Sequence, residues 1–365
     1  FRSTLPGGDV KLAVGGETVR DQLMQEGGQS NITGSASTGS TLTLFLFHRT
    51  VDSAFVELNV PIVSADMNIP LVHSLQFNLS GRYDNYTDAG STQNPKLAFA
   101  WELIDGLKLR GNMSTSFVAP GIDVSGDPHG AFLTTQYTGT TIGTPIPVAG
   151  YPVIPQFPAS FFNNGQACTT AQTTCTLASN IQGGFINNGD PHAKPQKGRG
   201  WEIGVDYLPD FVPGLSVSAT LWNTQFEGGI TGPNIGNIVN NQGLNHFLTF
   251  YPGGISAAQI SALATGIRQS GSLPTTGYFV YYSTNTNILD LYIQGVDADV
   301  RYNFDISDWG QFHAGAQASI FTKYDEAYGL PPGARYSVLN TTGANGSFPS
   351  IQIQSRWNLG WDQGP

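Results

Sequence analysis

The sequence has few charged residues and no long apolar run. Asp, Glu, Lys and Arg make up 12% of the 365 residues, about half the roughly 25% of an average soluble domain. Apolar runs such as Leu44–Phe47 are far shorter than the roughly 18 residues that a transmembrane helix needs. This composition excludes a charged disordered tail and a helical bundle. If the chain crosses a membrane, it must do so as a closed β-barrel, because only helices and barrels satisfy their backbone groups in lipid.

Basic residues are scarcer than acidic ones, 16 against 26, which gives a formal net charge of −10. Binding to nucleic acid depends on clustered Lys and Arg that neutralise phosphates. The charge balance therefore argues against a nucleic-acid partner.

The sequence also lacks recognisable catalytic and metal-binding patterns. Glu202 and Asp206 would lie about 13 Å apart on a strand, which is too far for the carboxylate pair of a glycosidase. No two of the six histidines have metal-ligand spacing, and neither a nucleophile elbow nor a phosphate-binding loop occurs. We therefore predict that the chain is not an enzyme and holds no metal or cofactor.

Cysteine occurs only twice, as Cys168 and Cys175 in a Thr-rich stretch. A lone close pair in a chain of this size is typical of an oxidising compartment, where it forms a disulfide. The alternative is a pair of free surface thiols.

The most frequent pattern in the sequence is a period-two alternation of apolar and polar residues. Over Val296–Asp305 every second residue is apolar and the residues between are polar or charged, as expected of a strand with one apolar face. About ten such strands are predicted, each near the roughly 9–11 residues of a transmembrane β-strand. The others are Val10–Val19, Ala54–Val60, Leu75–Tyr86, Leu97–Leu103, Leu107–Phe117, Trp201–Tyr207, Leu215–Leu221, Phe312–Tyr324 and Ile351–Trp361.

The predicted connections alternate between short turns and long polar loops. Outer-membrane barrels have this pattern, with short turns at one end of the barrel and long loops at the other. The connection Pro61–Ser74 is long where a short turn is due. One loop carries a capping-box pattern, Ser256–Gln259, that predicts a helix, the alternative being an accidental pattern in a flexible loop. The predicted turns are Ile104–Gly106, Leu208–Gly214 and Asp305–Gly310, and the predicted loops are Val118–Arg199, Gly228–Asn287 and Asp325–Phe348.

Two folds share this alternation, a soluble β-sandwich and a membrane barrel. The barrel is favoured because the apolar faces carry almost no charge and aromatic residues recur near strand ends. We therefore predict an all-β fold, an antiparallel transmembrane β-barrel whose polar faces line a wet lumen. The residues predicted to face that lumen include Arg82, Lys108, Arg110, Asp297, Asp299, Arg301 and Arg356.

Several segments, in order along nearly the whole chain, resemble the barrel of TonB-dependent outer-membrane receptors. They are Phe55–Ile62, Leu79–Tyr86, Asn94–Trp101, Leu107–Pro120, Trp201–Tyr207, Gln294–Asp297 and Arg356–Trp361. Departures occur at Val118, where the family often has Arg, at Lys194–Gln196, where it usually has a Pro-Glu pair, and over Thr41–Thr50, which is unusually apolar for a loop.

The resemblance implies a bacterial outer-membrane receptor that imports a scarce nutrient with energy from a TonB-type partner protein. It also implies that residues 1–365 are a partial barrel embedded in outer-membrane lipid. The plug domain would precede Phe1, and the last strands would follow Pro365. The nutrient would be a small molecule such as a siderophore, an oligosaccharide, a cobalamin or an aromatic compound. The alternatives are a passive porin-like channel and a secreted carbohydrate-binding β protein.

Aromatic and amide side chains of the long loops are the predicted ligand contacts, with plain loop packing as the alternative. They are Phe161, Phe162, Asn163, Asn164, Phe185 and Asn187.

Overall fold

A computed structural model describes residues 4–30, 40–125, 136–142, 145–163, 165–178, 181–263, 268–270, 276–329, 335–341 and 349–363. Ten long strands form one antiparallel wall, in which each strand pairs with the wall strand before it and the one after it. They are β1 Lys11–Ser30, β2 Ser40–Val63, β3 Ser74–Tyr86, β4 Gly90–Ile104, β5 Leu107–Val118, β6 Gln196–Tyr207, β7 Leu215–Thr231, β8 Thr276–Ile306, β9 Gly310–Tyr328 and β10 Ile353–Asp362. The predicted antiparallel β fold with about ten strands is confirmed. Within the described residues the wall is an open arc, with β1 at one end and β10 at the other.

Several strands are longer than predicted. Thr41–Thr50 was expected in a loop, but these residues continue β2 and pair with Arg20–Gln29 of β1. Likewise β8 begins at Thr276, inside the predicted loop Gly228–Asn287. The predicted strand lengths were based on the roughly 9–11 residues that cross a membrane. Pairing with a neighbouring strand can continue well beyond that length.

The short turns lie together along one border of the wall, called here the turn edge. Hydrogen bonds at this border establish this: Leu208 N, just after β6, donates to Gly106 O at 2.8 Å, and Asn303 N, near the end of β8, donates to Gly214 O at 3.0 Å. Both glycines have left-handed backbones, with φ of 76° and 84°. A Cβ on Gly106 would overlap the carbonyl oxygen of Leu208, and one on Gly214 that of Asn303. Glycine is therefore required at both positions.

The long connection between β2 and β3 also lies at the turn edge. It contains a 3₁₀ turn, Ala65–Met67, and Trp101 Nε1 of β4 donates to Leu71 O at 3.0 Å. The sequence left the placement of this connection uncertain because of its length. This hydrogen bond shows that the connection packs against the end of β4. The connection therefore lies on the same border as the short turns, although it is longer than they are.

The opposite border, the loop edge, carries most of the non-wall structure, and among the connections that the structure describes in full only β3 and β4 meet there across a short turn. None of the described helices is long and apolar enough to cross a membrane. The loop elements are helices Ile122–Ser125, Ile235–Asn240 and Ala257–Leu263, 3₁₀ turns Ile154–Gln156, Ala159–Phe161 and Gln242–Phe247, and strands Gln136–Ile142, Ile146–Pro147, Thr174–Cys175, Ile181–Gly189, Leu248–Ser256, Arg268–Ser270 and Tyr336–Ser337. The hairpin Thr4–Leu5 with Gly8–Asp9 precedes β1, and a 3₁₀ turn, Ser307–Trp309, joins β8 to β9.

The helix predicted from the capping box is confirmed as Ala257–Leu263. Gln259 N donates to Ser256 Oγ at 3.3 Å, and Ser256 N donates to Gln259 Oε1 at 2.9 Å. These reciprocal bonds satisfy two backbone donors that the first turn leaves free. Ile260, Leu263 and Ile267 follow the capping box at helical spacing, and the last of them lies outside the described residues.

Candidate functional site

Each wall strand presents a polar face on one side of the sheet and an apolar face on the other. Arg110 is central to the polar face. Its Nε donates to Asp206 Oδ2 at 3.1 Å, and its Nη2 donates to Thr220 Oγ1 at 2.7 Å. A Cβ at Gly204 would lie 2.8 Å from the Arg110 Cζ. Glycine on β6 thus leaves room for the guanidinium to reach across to β7.

A second polar cluster gathers around Arg82. Arg82 Nε donates to Asp84 Oδ1 at 2.8 Å, and its Nη2 donates to Ser53 Oγ at 2.9 Å. Glu17 approaches the same guanidinium at 3.3 Å. Because the Arg82 side chain is 44% exposed, solvent screening keeps the contribution of these pairs to stability small.

The third cluster joins β8 to β9. Arg301 Nε lies 2.9 Å from Asp299 Oδ1, and Gln317 Nε2 donates to Asp299 Oδ2 at 2.6 Å. Asp297 is exposed on the same face, and no described residue bonds to its carboxylate. The residues predicted to face a lumen therefore share one side of the wall, although the lumen itself remains a prediction.

Between the first and third clusters the polar face holds a cavity of about 470 Å³. We call it the Trp222 pocket. Its side chains come from four neighbouring strands, β5 to β8, so their placement depends on the sheet register. The side chains that define it are Arg110, Asn112, Glu202, Thr220, Trp222, Thr224 and Asp297.

Trp222 is one of the residues of this pocket that sequence reasoning missed. Its indole packs edge-on against Phe321, with ring centroids 5.7 Å apart. On the neighbouring strand, a Cβ at Gly295 would lie only 2.5 Å from the indole Cζ2. The predicted strand stopped at Leu221. One further step of the alternation through Ser216, Ser218 and Thr220 would have placed Trp222 on the polar face.

The loops between the wall strands, together with the loop-edge end of β8, form a compact cap with its own core. Nineteen buried residues pack together there. Tyr151, one of them, donates its hydroxyl to the carbonyl of Ile238, and burial raises the pKa of that hydroxyl well above its usual value. The core residues are Ile146, Val148, Tyr151, Ile154, Phe157, Phe162, Cys168, Cys175, Leu177, Ile181, Ile238, Val239, Leu244, Phe247, Leu248, Phe250, Phe279, Tyr281 and Ile288.

The predicted ligand contacts lie in or beside this cap. Phe162 is only 4% exposed and belongs to the core, so its ring has a packing role and is the weakest of the predicted contacts. Phe161 packs edge-on against Tyr278, and Phe185 stacks on Tyr281 with centroids 5.3 Å apart.

The three asparagines among the predicted ligand contacts differ in their exposure. Asn163 is exposed and Asn187 is half-buried. Asn164 lies outside the described residues. Whether any of the six contacts a ligand remains a prediction.

The predicted disulfide is present: Cys168 is bonded to Cys175, with 6.0 Å between their Cα atoms. Cys168 is 6% exposed and Cys175 2%. The bond therefore holds a short loop inside the cap core, and the alternative of two free surface thiols is excluded.

Replacing both cysteines, as Cys168→Ser with Cys175→Ser, is expected to destabilise the cap by about 2 kcal/mol, somewhat below the roughly 3 kcal/mol of a 15-residue loop. Burial of two hydroxyls would add to the loss. Hydrogen exchange should quicken in the cap and stay unchanged in the wall strands. Alkylation of both thiols of the parent protein without a reductant would contradict the prediction.

Asn287 ties three chain segments together where the cap meets the wall. Its Oδ1 accepts from Lys194 N at 2.7 Å, and its Nδ2 donates to Lys194 O at 2.8 Å and to Gly228 O at 2.6 Å. Beside it, Thr286 Oγ1 donates to Asp190 Oδ2 at 2.6 Å. These bonds fix the end of the long loop before β6 against β7 and β8.

The variant Asn287→Ala is expected to loosen this junction by roughly 1–3 kcal/mol, because it leaves three backbone groups without partners. Limited proteolysis should then cut near Lys194. Asn285→Ala is the matched control, since that side chain has no hydrogen bond within the described residues. Equal cleavage of the two variants would show that Asn287 does not hold the junction.

Comparison with known proteins finds one family model, described as the β-barrel of TonB-dependent receptor-like proteins, which matches residues 4–363. No curated protein matches the sequence. Among solved structures, the siderophore receptor PirA from Acinetobacter baumannii is 15% identical with a TM-score of 0.49, over 98% of this chain and 46% of PirA. A mutant of the ferric enterobactin receptor PfeA from Pseudomonas aeruginosa is 12% identical with a TM-score of 0.45, over 87% and 36%. The RagAB peptide transporter is 10% identical with a TM-score of 0.44, over 88% and 28%. The chain thus spans less than half the length of these proteins.

Proposed function

The chain belongs to the family of TonB-dependent receptor-like β-barrels, and from that premise we propose that it forms part of the wall of an active-transport receptor. The family consists of bacterial outer-membrane proteins that are transport receptors rather than enzymes. The receptor would bind a scarce nutrient, such as a siderophore or an oligosaccharide, and import it with energy from a TonB-type partner.

The proposal is supported by the difference between the apolar face and the polar face of the wall. Its apolar face exposes large side chains such as Leu12, Val14, Met113 and Leu359, as a surface in contact with lipid does. The clusters around Arg82, Arg110 and Asp299 lie on the other face, which would line the lumen. The loop edge would then be extracellular and the turn edge periplasmic.

The cap is proposed as the region that captures the nutrient. A packed core with a disulfide holds its surface residues in place without a ligand, which lowers the entropy cost of binding. Phe161, Phe185, Asn163 and Asn187 are the described candidates for contact.

Energy coupling would involve parts of the receptor other than this wall. Residues 1–365 are proposed to be one section of a barrel, with a plug domain elsewhere in the same protein that the TonB-type partner engages. This proposal assigns to the complete receptor the parts that the resemblance to TonB-dependent receptors implies.

Uptake of a labelled nutrient tests the proposal. A bacterium carrying the complete receptor should accumulate the nutrient, and deletion of its TonB-type protein should abolish accumulation while the receptor stays in the outer membrane. Uptake that persists after the deletion would favour the passive channel. Recovery of the protein in soluble form without detergent would favour the secreted carbohydrate-binding protein.

A further inference from the structure

We propose that an opening between β4 and β5, on the apolar face of the wall, binds a phosphorylated lipid of the surrounding outer-membrane leaflet. This inference goes beyond the proposed function and rests on one part of it, the contact of the apolar face with lipid. Three observations support it: the parting of two wall strands, the apolar cavity between them and the charge of the residues that line it.

The two strands part above a single residue pair. β4 and β5 are paired as far as Lys96 and Ser114. Towards the loop edge β4 continues to pair with β3, and β5 with β6, but neither has a described partner on the side where they part. Pro95, the next residue of β4, has no amide N–H, which is typical of a position where a ladder ends. We call this opening the β4–β5 fork.

A cavity of about 980 Å³ occupies the fork. Gly81 of β3 leaves open space in it, since a Cβ there would find no atom within 4 Å. Met113, Trp201 and Val56 line the cavity and are exposed. They belong to the apolar face, so the cavity opens away from the face that would line the lumen. Its apolar lining suits an acyl chain.

The backbone at the fork calls for more than an acyl chain. Beyond Lys96 and Ser114 each strand turns an unpaired edge to the opening. N–H and C=O groups without partners are costly in hydrocarbon. The ester, amide and phosphate groups of a lipid can bond to such edges, and its chains can fill the apolar part of the cavity.

The charge of the lining favours a phosphate. Lys96 and Arg199 line the cavity, and no carboxylate is among its lining residues. Arg199 is 62% exposed and lies 3.7 Å from Glu227, a distance at which an exposed ion pair contributes little. Lys197 is also exposed, two residues further along β6. In a chain with a net charge of −10, this local excess of cations suits an anionic headgroup.

The height of the fork matches the level of the headgroups. Trp201 and Arg199 lie six and eight residues from the turn-edge end of β6. At about 3.3 Å per residue and a tilt near 40°, they stand roughly 15 Å and 20 Å above that edge, in an apolar band about 25 Å tall. Arg199 is therefore close to the outer limit of the band. Tryptophan below and a cation above is the order expected at a membrane surface.

The test is lipid binding by the complete receptor, measured by native mass spectrometry in a nonionic detergent. The probes are lipid A, which carries phosphates and acyl chains, monogalactosyl diacylglycerol, which has acyl chains without phosphate, and inorganic phosphate. Lipid A is expected to bind most tightly. Gly81→Leu places a side chain in the open space and should weaken that binding about tenfold, as when about two methylene groups lose their contacts. Lys96→Gln combined with Arg199→Gln should weaken it about tenfold through loss of two cations near the headgroup.

Gly16→Leu and Arg20→Gln are the matched controls. Both residues are exposed on β1, in register with the apolar face of β2, and neither lines the fork. Both variants should leave the affinity for lipid A unchanged. Heat-modifiable gel migration reports whether each variant folds. Because one fork variant changes the cavity and the other its charge, either suffices for the test if the other does not fold.

Equal binding of the two lipids, binding of inorganic phosphate alone, or lipid A binding that the fork variants weaken no more than the controls do would overturn the inference. A dimeric receptor that both fork variants dissociate would also overturn it, since a second copy would then occupy the fork. Uptake that needs the TonB-type protein, without lipid binding at the fork, would retain the proposed function and reject this inference. Lipid binding that depends on the fork, with uptake that persists without the TonB-type protein, would do the reverse.

Discussion

Residues 1–365 expressed alone are expected to show no heat-modifiable gel migration and to form no closed pore in a lipid bilayer. Within the described residues, β1 pairs only with β2 and β10 only with β9 among the wall strands. The free border of each would present unpaired N–H and C=O groups to hydrocarbon, at several kcal/mol for each group. A strand of ten residues such as β10 carries enough of these groups to prevent stable insertion.

Parallel refolding of this segment and of the complete receptor in detergent tests the expectation. Unboiled samples of the complete receptor should migrate faster than boiled ones, since a closed barrel resists the detergent of the gel. The segment should migrate identically in both. If it instead shows the faster band and conducts ions as a closed pore, the receptor proposal gives way to the passive channel.

The wall could be predicted because its signal is local. Alternation over Val296–Asp305 assigns each residue to a face without knowledge of any partner strand, and the register of β8 against β7 and β9 follows it. Strand ends were predicted less well. The extension of β2 through Thr41–Thr50 depends on pairing with β1, which no local pattern encodes.

The cap could not be predicted because its core is non-local. Phe157 and Phe250 pack edge-on at 5.8 Å although 93 residues separate them in the sequence. Phe162 was predicted as a contact from its aromatic character, and nothing in its neighbourhood signals that it is buried. Cysteine pairing was predictable because spacing and composition suffice for it.

Arginine on the apolar face should destabilise the receptor strongly near the middle of the bilayer. Val300→Arg and Ile203→Arg are expected to lower the free energy of unfolding by roughly 2–4 kcal/mol each. Both side chains are exposed on the apolar face, by 39% and 48%. They lie six and four residues from the turn-edge ends of β8 and β6, about 15 Å and 10 Å into an apolar band about 25 Å tall. Leu109 lies only two residues from the end of β5, so Leu109→Arg should cost about 0–1 kcal/mol.

The controls belong on the polar face and must not break existing bonds. Asn112 and Asn303 look suitable from the sequence, but Asn112 donates to Glu202 at 2.6 Å and Asn303 contacts His313 at 3.0 Å. Ser319→Arg is the better control, because Ser319 stands opposite Asp297 in the register and the guanidinium would meet a carboxylate in water. Urea titration of the complete receptor refolded into lipid vesicles gives the free energies of unfolding. A deficit in Val300→Arg and Ile203→Arg that exceeds those of Leu109→Arg and Ser319→Arg would support a lipid-facing apolar side. Equal losses in all four variants would show that the apolar face does not meet lipid.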